Sequence, residues 1–417
     1  MRNWNRRIDM IYLDHAATTK TAPEVVEAML PYLTEHYGNP GALNSSGFRG
    51  KKALNEARRQ IAAAINAKPQ EIYFTAGGTE SDNWALKAAA ESCREQGRHI
   101  ITTKIEHHAV LHTCRYLEEN GYEITYLDVD GEGRLDPQVV RAAIRPDTVL
   151  ISVMLANNEI GTIEPVEEIG AIARQKGICF HTDAVQALGQ IPVDVETLKA
   201  DLLSASAHKL NGPKGVGMLY IREGIPIVPF VHGGAQEQNR RAGTENVPGI
   251  VGFGAAVQRA CGRLSDKIRK EQGLRDYLIR EIETRIPDCR LNGPRDRRLP
   301  GNVNFSFPFI RGEAIVISLD MQGICASSGS ACTAGSQDPS HVLLAIGLSE
   351  EEAFGSVRLT LSEENTKEEL DWAVAALKQI TARLREMSPA YENYKKEKKL
   401  QREGRKENWA ERCDTGC

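Results

Sequence analysis

Four short stretches combine residue types and spacings that can do chemistry. In HTDAVQALG (181–189), Asp183 closes an apolar run and should stand at a sheet edge, where a desolvated carboxylate needs a facing cation. A plain helix N-cap for AVQAL is the other reading. In SASAHKLNGPKGVG (204–217), Lys209 follows the apolar DLL and precedes another apolar strand. A lysine shielded at such a place can lose its proton and act as a nucleophilic amine, although most loop lysines are simply solvated. GPKGVG lacks Walker A spacing and reads as a turn. FTAGGTESDNWAL (74–86) runs from a strand through Gly77 and Gly78 into a helix that opens at Thr79. That turn offers backbone N–H groups and a positive dipole end to a phosphate, or, more simply, Thr79 and Asp82 make a helix cap. In KIEHHAVLHTC (104–114), His107 follows the strand HIITT, and His108 and His112 are spaced i,i+4 on a helix. No HExxH and no further His/Cys cluster with ligand spacing accompanies them, so no metal site is expected.

A fifth stretch, CASSGSAC (325–332), sets Cys325 and Cys332 seven positions apart in a small, polar, flexible run. A disulfide, half of a metal site and a reactive thiol on a mobile loop all fit that spacing. Nine cysteines in 417 residues are an odd number spread thinly, which is not a secreted disulfide scaffold. Most are expected to be reduced, and Cys179, in the apolar GICF, reads as core filler.

The composition is that of an ordinary globular chain, 41% hydrophobic and 26% charged. A net charge of −4 leaves no global footprint for nucleic acid or an anionic membrane. There is no apolar run of about 18 residues and no apolar leader, so a cytoplasmic protein is expected.

The elements that must position these residues lie mostly between 70 and 225. EIYFT, HIITT, EITYL, TVLISVML, GICFHT and VGMLYI read as strands separated by helical segments. The pattern predicts an α/β fold with a mostly parallel sheet covered on both faces, whose ligand site lies at the carboxyl ends of the strands. Near 260 the texture changes to a long amphipathic helix, the strands VNFSF and SVRLTL, and a second long helix, KEELDWAVAALKQITARL. We expect a large domain over 16–258 and a smaller α+β domain from 1–15 and 259–390 that carries the Cys332 loop. A charged tail follows over 391–417.

A sheet-edge acid, a Schiff-base lysine, a phosphate-binding helix start and a nearby imidazole are together the parts a pyridoxal 5'-phosphate enzyme requires. At this point a resemblance becomes visible. YLDHAATT, GGTESDN, EHHAV, NNEIG, HTDAVQ, SAHKLNGPKG, RAGTEN and SSGSACTAG occur in the order found in NifS/IscS-type cysteine desulfurases of the class V aminotransferase family, over residues 11 to about 390. The resemblance implies fold-type I architecture, a homodimer with active sites at the subunit interface, and conversion of L-cysteine to alanine. It matches Lys209 to the lysine that holds the cofactor aldehyde, Asp183 to the partner of the ring nitrogen, Gln186 to the donor to the phenolic oxygen, and His107 to the imidazole stacked on the ring. Gly78, Thr79, Ser206 and His208 match phosphate contacts, and Thr244 one that reaches across from the other subunit. Asn158 and Arg358 match the groups that hold the substrate carboxylate. Cys332 matches the nucleophile that leaves as a persulfide and passes sulfur to an acceptor protein for iron–sulfur assembly or tRNA thiolation. Cys325 then reads as a packed thiol, with a relay or a regulatory disulfide as the alternative.

Three places depart from the family pattern. Gly41 and Asn44 stand where a serine and a histidine are usual, Ser362 and Glu363 where Gly-Arg is common, and the terminal CDTGC (Cys413, Cys417) has no counterpart. Competing readings are a selenocysteine lyase, an aminotransferase, which has no use for Cys332, and a non-catalytic sulfur-transfer scaffold, which has no use for a Schiff-base lysine.

Overall fold

The computed structural model describes residues 10–328 and 338–398. Cys332, Cys413 and Cys417 lie outside the described residues. Thirteen strands follow in chain order: β1 (Ile11–Tyr12), β2 (Ile72–Thr75), β3 (His99–Thr103), β4 (Glu123–Leu127), β5 (Thr148–Ser152), β6 (Cys179–Asp183), β7 (Leu202–Ser206), β8 (Gly217–Ile221), β9 (Arg290–Leu291), β10 (Asn302–Ser306), β11 (Ile324–Cys325), β12 (Ser327–Ser328) and β13 (Ser356–Thr360).

Seven of them form one sheet in the order β2-β8-β7-β6-β5-β3-β4. Neighbours pair in parallel from β7 through to β4, and β8 runs antiparallel to both β7 and β2. Strands β2, β3, β5, β7 and β8 are buried at every position, as strands sandwiched between helices must be. On one side Ile61, Phe180, Phe253 and Met218 belong to a single apolar core, and on the other Trp84, Val110 and Leu150 belong to a second. Helices α1 (Pro23–Thr34) and α2 (Ser45–Ala64) pack on the helix Val247–Gly262, while α3 (Gly78–Ser92) packs on α4 (His108–Glu119).

The mixed α/β architecture is therefore as expected. β3 and β4 fall on the residues their patterns pick out, and the helix Val166–Lys176 ends at Gly177 in the left-handed region at φ +69°. Within the large sheet, β7, running into SAS, is the strand that the apolar pattern does not announce.

A four-stranded antiparallel sheet, β12-β13-β10-β9, and the parallel pair β1-β11 have their own core around Phe305, Phe307, Leu278 and Leu377. Here residues 11–14 join much later parts of the chain, because β1 pairs with β11 and Asp14 bridges to Thr360. Among the described residues no helix is long and apolar enough to cross a membrane.

Candidate active site

The carboxyl ends of the large sheet converge on one cavity of about 280 Å³, close to the lower end of small-ligand sites, about 300 Å³. Asp183 is the last residue of β6 and Ser206 the last of β7. His107 caps α4 after β3, and Asn158 follows β5. Gly78, Thr79, Gln186, His208, Lys209 and Arg358 line the same cavity. Thr244 does not; it is exposed outside it.

The phosphate end is built by the backbone. Gly77 N-caps α3 at φ +156°, ψ −179°, a conformation open essentially to glycine alone. A Cβ on Gly78 would lie 2.6 Å from Val185 Cγ2, so the start of α3 can close on the β6 turn only with glycine there. Thr79 is inside the first turn and makes no cap bond, which removes the simple helix-cap reading of Thr79 and Asp82. The unpaired N–H groups of that turn, with Ser206 and His208, form a cradle for an anion. His208 is itself fixed by Thr18, whose Oγ1 is 3.1 Å from Nδ1.

The lysine is held by backbone carbonyls. Lys209 Nζ donates to the carbonyl oxygens of Ala16 (2.5 Å) and Ala17 (2.8 Å), and Gln186 Nε2 donates to Ala16 (3.0 Å). The YLDHAATT segment thus aims the amine into the cavity. Ala16 and Ala17 escape any search for reactive side chains, because only their carbonyls take part.

Asp183 is not a helix cap: no helix follows it, and its Oδ1 accepts the Val185 N–H within a turn (2.8 Å). Burial pushes its carboxyl up to about 6, against the opposing pull of that N–H and of Lys209. Beside it in the cavity stands a second carboxylate, Asp82, which sequence reasoning read only as a cap. Asp82 Oδ1 is buried with no hydrogen-bond partner among the described residues. Burial and the Lys209 charge hold the His107 imidazole down at about 4, so it is neutral near pH 7. Its Nδ1 accepts from Ala109 N (3.1 Å), which leaves the ring hydrogen on Nε2.

At the substrate end Arg358, 2% exposed, donates from Nη1 to the Asn158 carbonyl (3.0 Å) and from Nη2 to Asp14 Oδ1 (3.1 Å). Its Nε is buried without a partner among the described residues. A buried guanidinium with a spare donor bordering a cavity suits a carboxylate guest.

Two of the departures have physical accounts. Asn44 N-caps α2, its Oδ1 accepting from Gly47 N at 2.9 Å. Glu363 is neutralised by Arg259 (3.2 Å) and Arg263 (3.7 Å) at the end of the helix Val247–Gly262. His108, His112 and His341 lie ring to ring on α4 and the neighbouring helix, yet no group of ligating side chains fit to hold a metal occurs among the described residues.

Comparison with known proteins identifies the chain's relatives. The aminotransferase class-V family pattern matches residues 11–372. Cysteine desulfurase IscS of Clostridium botulinum (strain Hall) is 53% identical over 390 residues, covering 93% of this chain and 98% of that protein. The protein of the same name from Dictyoglomus turgidum is 54% identical over 389 residues, covering 93% and 99%. Among solved structures, a NifS-like protein superposes with a TM-score of 0.85 at 39% identity, covering 90% of this chain and all of that one. SspA in complex with cysteine gives 0.76 at 38% identity, covering 85% and 100%.

Members of this family use pyridoxal 5'-phosphate, and the residues present fit it. The start of α3 with Ser206 and His208 suits a phosphate, and Lys209 suits an aldehyde. Asp183, a carboxyl buried at the end of β6, suits the cation that a protonated ring nitrogen provides. The chain belongs to the aminotransferase class-V family, among its NifS/IscS-type cysteine desulfurases.

Proposed function

We propose that this chain is a cytoplasmic, homodimeric cysteine desulfurase that moves sulfur from L-cysteine to Cys332 and then to an acceptor protein. The observation that carries the reading is the convergence of Lys209, Asp183, His107 and Arg358 on one cavity. Separate cores for the two sheets support the division into domains at 16–258 and at 1–15 with 259–390.

When bound, pyridoxal 5'-phosphate supplies an aldehyde that condenses with amines and a ring that accepts electron density from the substrate carbon. Gly78, Thr79, Ser206 and His208 would hold its phosphate, Asp183 its ring nitrogen and Gln186 its phenolic oxygen. Arg358 and Asn158 fix the substrate carboxylate, which aligns the Cα–H bond with Lys209, the residue that takes and returns that proton. Neutral His107, on the cavity wall, would exclude water from the bound ring and move a proton. The Cys332 thiolate attacks the substrate sulfur; an S–S bond forms as the Cβ–S bond breaks. The carbon skeleton takes up a proton and departs as alanine, and sulfur remains as the Cys332 persulfide. Iron–sulfur assembly or tRNA thiolation consumes it, in keeping with the IscS relatives.

Exposed apolar side chains support the dimer. Val26, Leu30 and Leu33 face outward on α1, followed by Tyr37 (77% exposed) and Phe48 (69% exposed). A monomer rarely shows such a run to water. Thr244, exposed outside its own cavity, is then a phosphate contact in the partner's site. Leu33→Glu is expected to give a monomer by analytical ultracentrifugation, with cofactor affinity lowered roughly tenfold as that contact is lost. A dimer with unchanged cofactor affinity contradicts this surface.

Asp183→Asn should separate two effects. The folded carboxyl is raised to about 6, so its contribution is favourable at low pH and is lost as pH rises through 6. The apo variant should therefore gain thermal stability over the apo wild type between about pH 4 and 7, by up to about 3 kcal/mol. The holo variant should instead bind cofactor more weakly, having lost the anion under the ring nitrogen. Melting curves across pH, with and without cofactor, check both.

A further inference from the structure

Asp82 is the fifth residue of α3, 1% exposed, and borders the same cavity as Asp183. Its nearest basic neighbour is His181 on β6, with Nε2 3.6 Å from Oδ1. That imidazole cannot serve as a counter-cation. It is fully buried, its Nδ1 lies 2.8 Å from Ser152 Oγ and its Nε2 3.0 Å from Ser204 Oγ on β7, and burial holds it down at about 3. The other titratable groups that act on Asp82 are Asp183 from β6 and Glu106 from the turn after β3, both acidic. Two adjacent carboxylates in a water-poor site cannot both stay ionised against the single cation of a ring nitrogen. Asp183 has the better claim to the charge, since it accepts the Val185 N–H and lies in the field of Lys209.

We propose that Asp82 is a proton-bearing, neutral positioning residue. It closes a buried chain of Ser152, His181 and Ser204, and leaves Asp183 the only anion beneath the ring nitrogen. This rests on the reading of Asp183 given above. In the chain, the neutral acid packs against Asp183 without competing for the cation. Burial and the Asp183 charge push the Asp82 carboxyl well up and outweigh the Ser204 hydrogen bond, which by itself favours the anion.

The test uses the holoenzyme. Asparagine copies the shape and neutrality of a protonated aspartate, so Asp82→Asn should change cofactor affinity by less than about threefold and leave the pH titration of the cofactor absorbance in place. Asp183→Asn should weaken affinity by about tenfold or more. Infrared spectra of wild-type holoenzyme labelled with ¹³C-aspartate should show a protonated-carboxyl band at mildly alkaline pH, separated by the label from Glu106 and lost in Asp82→Asn. The labelled wild-type spectrum is informative whether or not the variant folds. Absence of that band, or a tenfold loss of affinity in Asp82→Asn with Asp183→Asn also impaired, overturns the role of Asp82. If Asp183→Asn retains full affinity, it is the underlying reading of the site that fails.

Discussion

Lys209→Ala is expected to lower desulfurase turnover by at least ~10³-fold and to abolish the visible absorbance of covalently held cofactor. Among the described residues Lys209 is the only lysine bordering the cavity, and its Nζ is held by two backbone carbonyls. No other side chain there can both hold an aldehyde and return a proton to the substrate carbon. The cost to folding is small, on the order of 1 kcal/mol, since Gln186 still donates to one of the two carbonyls. A colourless, folded, inactive variant, read from absorbance, circular dichroism and alanine release, is the expected result. Retained colour and turnover would place the amine elsewhere.

Cys332→Ser is expected to separate binding from sulfur transfer. The variant should keep its colour and its spectral response to L-cysteine, because the residues proposed to meet cofactor and carboxylate, Thr244 apart, line the cavity already described. Turnover should fall by roughly 10²–10³-fold, since a serine hydroxyl stays protonated near neutral pH and is a poor nucleophile toward sulfur. An aminotransferase would be indifferent to this change. A selenocysteine lyase is distinguished by running both L-cysteine and L-selenocysteine on the pair of proteins. With selenocysteine favoured and insensitive to Cys332→Ser, the desulfurase reading loses its ground.

Where one side chain carries the chemistry, the sequence was legible. Asp183 and Lys209 stood out because a charge closing an apolar strand is costly without a partner, and the structure brings both to one cavity. Period and punctuation located β3, β4 and the long helix Lys367–Glu386. Contacts made by plain backbone were not legible: nothing in alanine marks Ala16 and Ala17 as the carbonyls that orient Lys209. β7 was missed because it ends in small residues, SAS, which carry neither alternation nor β-branching. Asp82 looked like a cap because sequence cannot tell which face of α3 turns inward; its burial comes from the packing of α3 on the large sheet. The Arg358–Asp14 pair spans 344 positions and exists only because Asp14, just after β1, bridges to Thr360 at the end of β13.

The most direct test of sulfur transfer through Cys332 is intact-protein and peptide mass spectrometry after a single turnover with ³⁴S-labelled L-cysteine, with alanine quantified in the same sample. One labelled sulfur atom is expected on the Cys332 peptide for each alanine released, and none on Cys325. Alanine formed without label on Cys332, or label there without alanine, would contradict it.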